Sequence, residues 1–395
     1  MSQPDTIKIP EDYRKHLLKD LETLVNINSS SQNPEGLKKN GEALLNISMR
    51  LGLPFSRIPV PNDPGGRFHL IYEPPHDVFS YFYGITGHFD TVHLPESKFC
   101  RLTSDLENAR IYGPGILDMK AGVLVALYAL AAVKRHTGMA QLPFKVVFNC
   151  DEEIGSPDSR HLIAKKFKGA AGAFVMEGGK DDVPCVITSR KGILMGKMRV
   201  SGKAAHAGEN PERGASAIVE AAYKIRLLNR LNDPESGTVV TVGTISGGNA
   251  ANQIPDHCSA SIDVRVKTLE AEKKVSAAIS EIMQATHVAG TRTDYDLNQV
   301  RPPFESDARA AALLQVYLNT CARSGIQPKQ LSTGGGSDAN LTAAMGIPTL
   351  DGIGPTGSGP HTDHEYIVAV SLYQSLEVFT LFLFTLINHQ EGGRS

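Results

Sequence analysis

The sequence predicts an α/β protein: a mixed, mainly parallel sheet flanked by helices, interrupted by an inserted ferredoxin-like α+β domain. The first half of the chain alternates helix-period segments with short apolar runs of strand length, the pattern of a layered fold on a parallel sheet. From Gly192 to about Pro302 the pattern becomes strand, helix, strand, strand, helix, strand, an arrangement complete in itself. The alternating style returns after about Ser306. A chain of 395 residues exceeds one ordinary core. We therefore divide it into residues 1–191 and 303–395, the two parts of a larger domain, and residues 192–302, the insert.

Taken in order, Asp12–Val25 and Gly36–Leu51 carry helical periodicity, and Phe79–Ile85 is an apolar strand. Lys120–Arg135, rich in Ala, Leu and Val, reads as a crossover helix, followed by strands at Phe144–Phe148 and Gly172–Met176. Within the insert the strands are Ile193–Ser201, Thr238–Ile245, Ser259–Val266 and Thr291–Val300, with helices at Arg213–Leu231 and Leu269–Ala285. Ile367–Leu386 is apolar, yet Ser371, Gln374, Ser375 and Glu377 interrupt it. A spanning helix needs about 20 nearly uninterrupted apolar residues, so a buried C-terminal helix is the better reading.

Bulk properties exclude several classes. Charged residues are 21% and the hydrophobic set 41%, ordinary for a soluble globular protein. Net charge is -2 with both signs interleaved, which gives no basic face for nucleic acid. The stretch MSQPDTIKIPEDYRKHLLKDLE has no apolar core or small-residue cleavage site, so we expect cytoplasmic residence and no membrane. Cys100, Cys150, Cys185, Cys258 and Cys321 are odd in number, far apart and without a CxxC pair, as expected of reduced, mostly buried thiols.

Five segments carry chemistry. Gly87-His88-Phe89-Asp90-Thr91 follows a strand, and residues two apart face the same way. His88 and Asp90 thus project together from a strand end, where α/β folds place their sites. They suit a metal ligand and the carboxylate that fixes its tautomer, or a hydrogen-bonded pair with no metal. Gly113-Pro114-Gly115-Ile116-Leu117-Asp118-Met119-Lys120 lacks both phosphate-loop patterns. Its Asp118, where strand gives way to helix, is either a carboxylate bridging two cations or a simple N-cap.

Cys150-Asp151-Glu152-Glu153 places three consecutive acids at a strand end, where they repel unless cations or open water compensate. With one glutamate neutralised by metal, the other can remain a base. Glu177 is another strand-end carboxylate, and Gly359-Pro360-His361-Thr362-Asp363-His364-Glu365 supplies a second histidine, of which we prefer His361 to His364. His93, His136, His161 and His257 lack comparable company and read as surface or structural. Nitrogen and oxygen donors without thiolate suit a catalytic zinc or cobalt site.

These segments, in this order and spacing, resemble the co-catalytic zinc peptidase and deacylase family, which includes glutamate carboxypeptidases, aminoacylases, acetylornithine deacetylase and succinyl-diaminopimelate desuccinylase. YGPGILDMKAG, FNCDEEIGSPDSR and TGGGSDAN look closest to glutamate carboxypeptidases of the carboxypeptidase G type. The resemblance implies two zinc ions per subunit, with cobalt or manganese as substitutes, bridged by Asp118. His88 and Glu177 complete one site; Glu153 and His361 complete the other. Glu152 is the implied general base and Asp90 the partner of His88, and the Asp118-Met119 bond is expected to be cis.

In the insert, Ser201-Gly202-Lys203-Ala204-Ala205-His206-Ala207-Gly208 resembles the segment whose histidine reaches the partner subunit's active site, which makes the insert a dimerisation domain and the enzyme a homodimer. Asn252 in GGNAANQIP, Arg301 in VRPPF and the weaker candidate Arg265 fall where relatives bind the substrate's carboxylate. A surface ion pair is the alternative for each arginine. Gly334, Gly335 and Gly336 would present backbone N–H groups to the substrate. The implied activity is hydrolysis of a peptide or amide bond beside a free carboxylate, releasing C-terminal glutamate. The alternatives are a deacylase or dipeptidase of the same mechanism, acting on N-acyl amino acids or dipeptides, or a catalytically inert metal-stabilised binding dimer.

Overall fold

A computed structural model describes residues 7–75 and 78–392, the last three of these as backbone. The first six residues of the amino-terminal stretch read above lie outside it. The chain forms two compact units. The first comprises the chain up to Thr188, Ser306–Ser332 and the chain from Ser337; the second is Ser189–Glu305 with Thr333–Gly336.

In the first unit, β1 (Ser56–Pro59), β2 (Phe68–Tyr72), β3 (Tyr83–His88), β4 (Phe144–Asn149) and β5 (Ala173–Val175) form one sheet in the order β1-β2-β4-β3-β5, completed by the strand Thr349–Leu350. β3 runs parallel to β4 and β5, and Thr349–Leu350 parallel to β5, whereas β1 and β2 pair antiparallel. The predicted mixed, mainly parallel sheet is therefore the observed one. Alternation sends Val146 and Phe148 to one face and Val147 to the other, so two apolar layers form. The larger layer takes Glu11–Val25, Pro34–Arg50, Ala121–Thr137, Ala308–Arg323 and the helix Ala369–Gly392; the smaller takes Ser159–Phe167 and Asp338–Ala344.

Several boundaries move for local reasons. The helix expected from Gly36 starts at Pro34, because Asn33 accepts the Gly36 N–H and proline tolerates the first helical turn. The strand expected from Phe79 starts at Tyr83, whose N–H donates to Pro143. Two helices, Ile116–Thr137 and Ala369–His389, are long and apolar enough to cross a membrane, but they lie largely buried in this unit's core. All five cysteines are free, and only Cys100 is exposed.

The second unit contains β6 (Gly192–Ser201), β7 (Val239–Gly247), β8 (His257–Val266) and β9 (Arg292–Arg301), antiparallel in the order β7-β8-β6-β9. Helices Ala217–Asn229 and Leu269–Gln284 complete the β-α-β-β-α-β arrangement, each capped by a hydroxyl: Ser216 for the first and Thr268 for the second. The helix expected from Arg213 is shorter, since Pro211–Arg213 forms a separate tight turn. Thr333–Gly336 departs from the expected division at 303–395. The Arg190 guanidinium donates to the Gly335 and Gly336 carbonyls, and Lys191 N–H donates to Thr333, which ties this segment to the second unit.

One contact in the first unit sets how closely helix and sheet approach. A Cβ on Gly122, in the helix Ala121–Thr137, would lie 1.8 Å from the Met176 carbonyl oxygen, next to Glu177. Gly122→Ala is therefore expected to cost about 1–3 kcal/mol in urea unfolding, as overpacked sites do. Gly243→Ala, with nothing within 4 Å, should cost far less. Equal midpoints for the two variants would refute the close approach.

Candidate metal centre and active site

The parallel strands bring their carboxyl ends level: His88 pairs with Asn149, and Thr86 with Val175. The loops that follow carry Asp90, then Asp151 to Glu153, then Glu177. A separate loop before Ala121–Thr137 brings Asp118, and the loop Gly359–Glu365 brings His361. Such an end of an open α/β sheet is where ligands bind.

Two groups of donor atoms form there, each within 4.8 Å: His88, Asp118 and Glu177, then Asp118, Glu153 and His361. Asp118 is common to both and divides its oxygens between them. Its Oδ1 lies 3.0 Å from His88 Nε2, and its Oδ2 lies 3.2 Å from His361 Nε2. Glu177 Oε1 is 3.7 Å from His88 Nε2, and Glu153 Oε2 is 3.3 Å from His361 Nε2. Asp118 is thus no helix cap: its φ and ψ of -119° and 84° are not helical, and the Asp118-Met119 bond is cis.

The donor chemistry fits divalent cations. His88 Nδ1–H donates to the Asp90 carbonyl at 3.1 Å, which leaves Nε2 with a lone pair facing carboxylate oxygens. Only a proton or a cation can lie between such atoms. The titration behaviour has the same cause. Burial opposes charge on His88, but the carboxylates of Asp118 and Asp90 outweigh it and raise its pKa well above the usual imidazole value. Hydrogen bonds to Asp118 and Glu153 push His361 up to about 10. Burial, with the Asp118 charge beside it, pushes Glu153 up to about 8. For Asp118 itself, burial is overcome by bonds to His361 and His88, which hold its carboxyl below the ordinary range. A cluster that draws protons so strongly also draws dications.

Glu152 belongs to neither donor group. Its backbone N–H and that of Glu153 donate to Asp90 Oδ1 and Oδ2 at 3.2 and 3.1 Å. Asp90 was expected to serve His88 through its carboxylate; Oδ1 is 3.4 Å from His88 Nδ1, but the nearer acceptor is the Asp90 backbone carbonyl. The carboxylate chiefly clamps the turn that presents the two glutamates, and accepts the Ser31 hydroxyl as well. Asp151, third of the three acids, is buried and accepts the Asp158 and Ser159 amides, turned into the fold.

Sequence reasoning missed the groups that hold these loops. Asp338 is buried and accepts Ser156 Oγ at 2.7 Å and Asn149 Nδ2 at 2.6 Å, pinning both ends of the glutamate turn. Glu365, fully buried, accepts three backbone N–H groups of the Asp118 loop and the His93 ring. His93, which looked to lack company, is therefore a buried partner of that carboxylate. Burial lowers Lys120, which packs beside the same carboxylate, to about 7. The signal available in sequence was position: Glu365 and Asp338 stand inside the motifs that carry His361 and the three glycines.

The other site residues lie in the second unit. His206 is exposed, and its Nδ1 accepts the Gly208 and Glu209 amides, so the neutral ring carries its proton on Nε2. Asn252 is exposed on the neighbouring turn, its carbonyl accepting the Ala207 N–H. Arg301 is 2% exposed, not a surface group. Arg265 makes a two-bond pair with Asp263 at 2.8 and 3.0 Å, the ion-pair alternative. Of the glycines, only Gly336 is required by packing, since a Cβ there would meet Ile193 at 2.9 Å and Arg301 at 3.1 Å. Gly334 has open space around it.

Residues 84–385 match the family described as Peptidase family M20/M25/M40. The chain is 27% identical over 376 residues to carboxypeptidase G2 of Pseudomonas sp. (strain RS-16), covering 91% of this chain and 86% of that one. It is 25% identical over 319 residues to a succinyl-diaminopimelate desuccinylase of Magnetococcus marinus, covering 75% and 81%. A tripeptidase from Staphylococcus aureus shares the fold with a TM-score of 0.79 at 22% identity, covering 97% of this chain and all of that one.

Chelator-stripped protein titrated with zinc or cobalt is expected to unfold at a higher temperature. A cation at 100 times its dissociation constant adds about 2.7 kcal/mol. His88→Ala should lose most of that shift. A midpoint unmoved by either metal would overturn the fit of the donor set.

Proposed function

Because this chain belongs to peptidase family M20/M25/M40 and is a hydrolase, we propose that it cleaves an amide bond beside a free carboxylate, releasing C-terminal glutamate with two zinc ions bound. The observation that carries the reading is the division of the Asp118 oxygens between His88 and His361, which suits a carboxylate shared by two cations. His88 and Glu177 would hold one cation, Glu153 and His361 the other; cobalt or manganese would serve as substitutes. Cations held there supply Lewis-acid polarisation of a carbonyl and acidify a water.

The protein's own groups do the rest. Glu152, close to the cluster yet outside both donor sets, takes the proton from the attacking water and returns it to the leaving nitrogen. The Asp90 clamp on both backbone amides keeps Glu152 and Glu153 in separate roles. His206, with Nε2–H as donor, polarises the scissile carbonyl from a second copy of the chain, where one such donor is commonly worth about 10²–10³ in rate. Arg301 and Asn252 receive the substrate's carboxylate, with Gly334, Gly335 and Gly336 beside them. Glutamate as the released residue is supported by the similarity to carboxypeptidase G2 and by the buried Arg301.

Two features of the second unit support a homodimer through it. β7 lies at the edge of its sheet and exposes Val239 and Ile245. The helix Ala217–Asn229 exposes Ile218, Val219 and Tyr223. An open edge beside an apolar helix face is a surface that natural proteins cover. Free thiols in every cysteine position support a reducing, cytoplasmic setting.

The assay is a panel of C-terminal glutamate peptides, dipeptides and N-acyl amino acids, with and without zinc. Glutamate release is the expected result, and Glu152→Ala should retain two metals by elemental analysis while losing turnover. Activity confined to N-succinyl or N-acetyl amino acids would transfer the enzyme to the deacylases; no hydrolysis of any member would leave a binding dimer. His206→Ala and His88→Ala proteins, allowed to exchange subunits, should regain part of the wild-type rate. No recovery after demonstrated exchange would place His206 outside the chemistry of the partner.

A further inference from the structure

We propose that Glu365 is a positioning residue for the paired cation site, fixing the backbone of the Asp118 loop and tying it to the loop that bears His361. The inference rests on the reading that Asp118 and His361 hold metal. Glu365 itself reaches neither donor group.

The case begins with a loop that cannot satisfy itself. Gly115 has φ 68°, and a Cβ there would lie 2.2 Å from Thr91 Cγ2. Asp118 and Met119 then leave helical geometry before Ala121–Thr137 begins. Within the loop, Ile116 N–H donates to Gly113 and Lys120 N–H to Gly115. The N–H groups of Gly115, Leu117 and Asp118 go to the Glu365 carboxylate instead. Oε1 accepts Leu117 at 2.8 Å and Asp118 at 3.0 Å; Oε2 accepts Gly115 at 2.8 Å. The His93 ring completes the set, with Nε2 2.8 Å from Oε2. The Glu365 backbone carbonyl adds a further acceptor for Gly113 N–H at 3.1 Å.

Four donors on a carboxylate with no exposed surface make a strongly directional anchor. One of them is the amide of Asp118, whose two oxygens must face two histidines at once. Glu365 also closes the turn Thr362–Glu365 that follows His361, its backbone N–H reaching the Thr362 carbonyl at 3.3 Å. The Glu365 side chain therefore holds the Asp118 loop from a residue whose backbone belongs to the loop that bears His361. A glutamine in its place would keep one acceptor oxygen but aim an NH₂ group at N–H donors. The loop must then shift, and the Asp118 oxygens shift with it.

The test compares chelator-stripped wild type, Glu365→Gln and Glu220→Gln, titrated calorimetrically with zinc alone and analysed for bound metal after dialysis. Glu220 is a buried carboxylate of the second unit that accepts the His287 and Val288 amides at 2.8 and 2.7 Å, outside both donor groups. Glu365→Gln is expected to weaken zinc binding about 10–100-fold, the usual effect of losing a group that orients a ligand, with an unchanged circular dichroism spectrum. Glu220→Gln should lower the unfolding midpoint and leave zinc affinity as in wild type. In cobalt-loaded protein the visible absorption should change for Glu365→Gln alone. Wild-type zinc affinity in Glu365→Gln overturns the inference while leaving the function standing; a wild type that binds no metal overturns both. If Glu365→Gln does not fold, His93→Gln replaces it. Reduced zinc affinity there supports the inference, and unchanged affinity overturns it.

Discussion

The constraint from which the rest of the first unit follows is the concentration of carboxylates at the end of its sheet. Asp118, Glu153 and Glu177 lie within reach of two imidazoles, and Asp90, Glu152 and Asp338 stand close behind. Like charges at such distances repel strongly where water is scarce. Three of the neighbouring acids have compensating partners within the fold. Asp90 accepts the two glutamate amides, Asp151 accepts the amides that open the helix Ser159–Phe167, and Asp338 accepts Ser156 and Asn149. The two oxygens of Asp118, by contrast, face the rings of His88 and His361.

The same arrangement bears on how the loops leave the sheet. Three parallel strands end level, so their following loops must diverge at once or collide. Asp90 solves the problem for two of them, because one carboxylate from the loop after β3 closes the turn after β4. Gly122 solves it for the third, letting a buried helix lie against the backbone that leads to Glu177. Position in the site is thus set mostly by hydrogen bonds to backbone amides. Such bonds hold a loop without demanding any particular side chain from it.

Much of this was legible in the sequence, and the remainder was hidden for a physical reason. Periodicity is local, so the alternating first half and the β-α-β-β-α-β insert could be read from neighbouring residues alone. The five segments bearing the donor residues were equally visible, because a strand end followed by His or an acid is a local pattern. Asp90, Glu365 and His93 were harder. Asp90 reads as partner of its neighbour His88, His93 as surface or structural, and Glu365 carries no role in the local pattern, but each has a partner far along the chain, as with Glu365 and Gly115. The move of Thr333–Gly336 into the second unit was hidden in the same way, since the Arg190 side chain that holds it comes from more than a hundred residues earlier. For Arg265 the ion-pair alternative is the observed one, with Asp263 on the same strand, two residues away. Spacing of two places both on one face, so the partner of that pair was local.

The two units divide labour along the lines of what each chemistry tolerates. Holding cations needs fixed donor atoms, and the first unit supplies them from loops locked by buried carboxylates. Choosing a substrate needs a difference in affinity between one anion and another, and the candidate groups for that are all in the second unit. Arg301 is nearly inaccessible there, and a buried guanidinium is tolerable only with partners. If Arg301 receives a substrate carboxylate, as proposed, that anion must offer it more than the protein groups it already touches. Under that reading a neutral or misplaced ligand gains nothing over the protein groups Arg301 already holds, and discrimination comes from the contacts it fails to replace. On the proposed reading, changes at Arg301, Asn252 and the three glycines would alter substrate preference without touching the donor residues of the first unit.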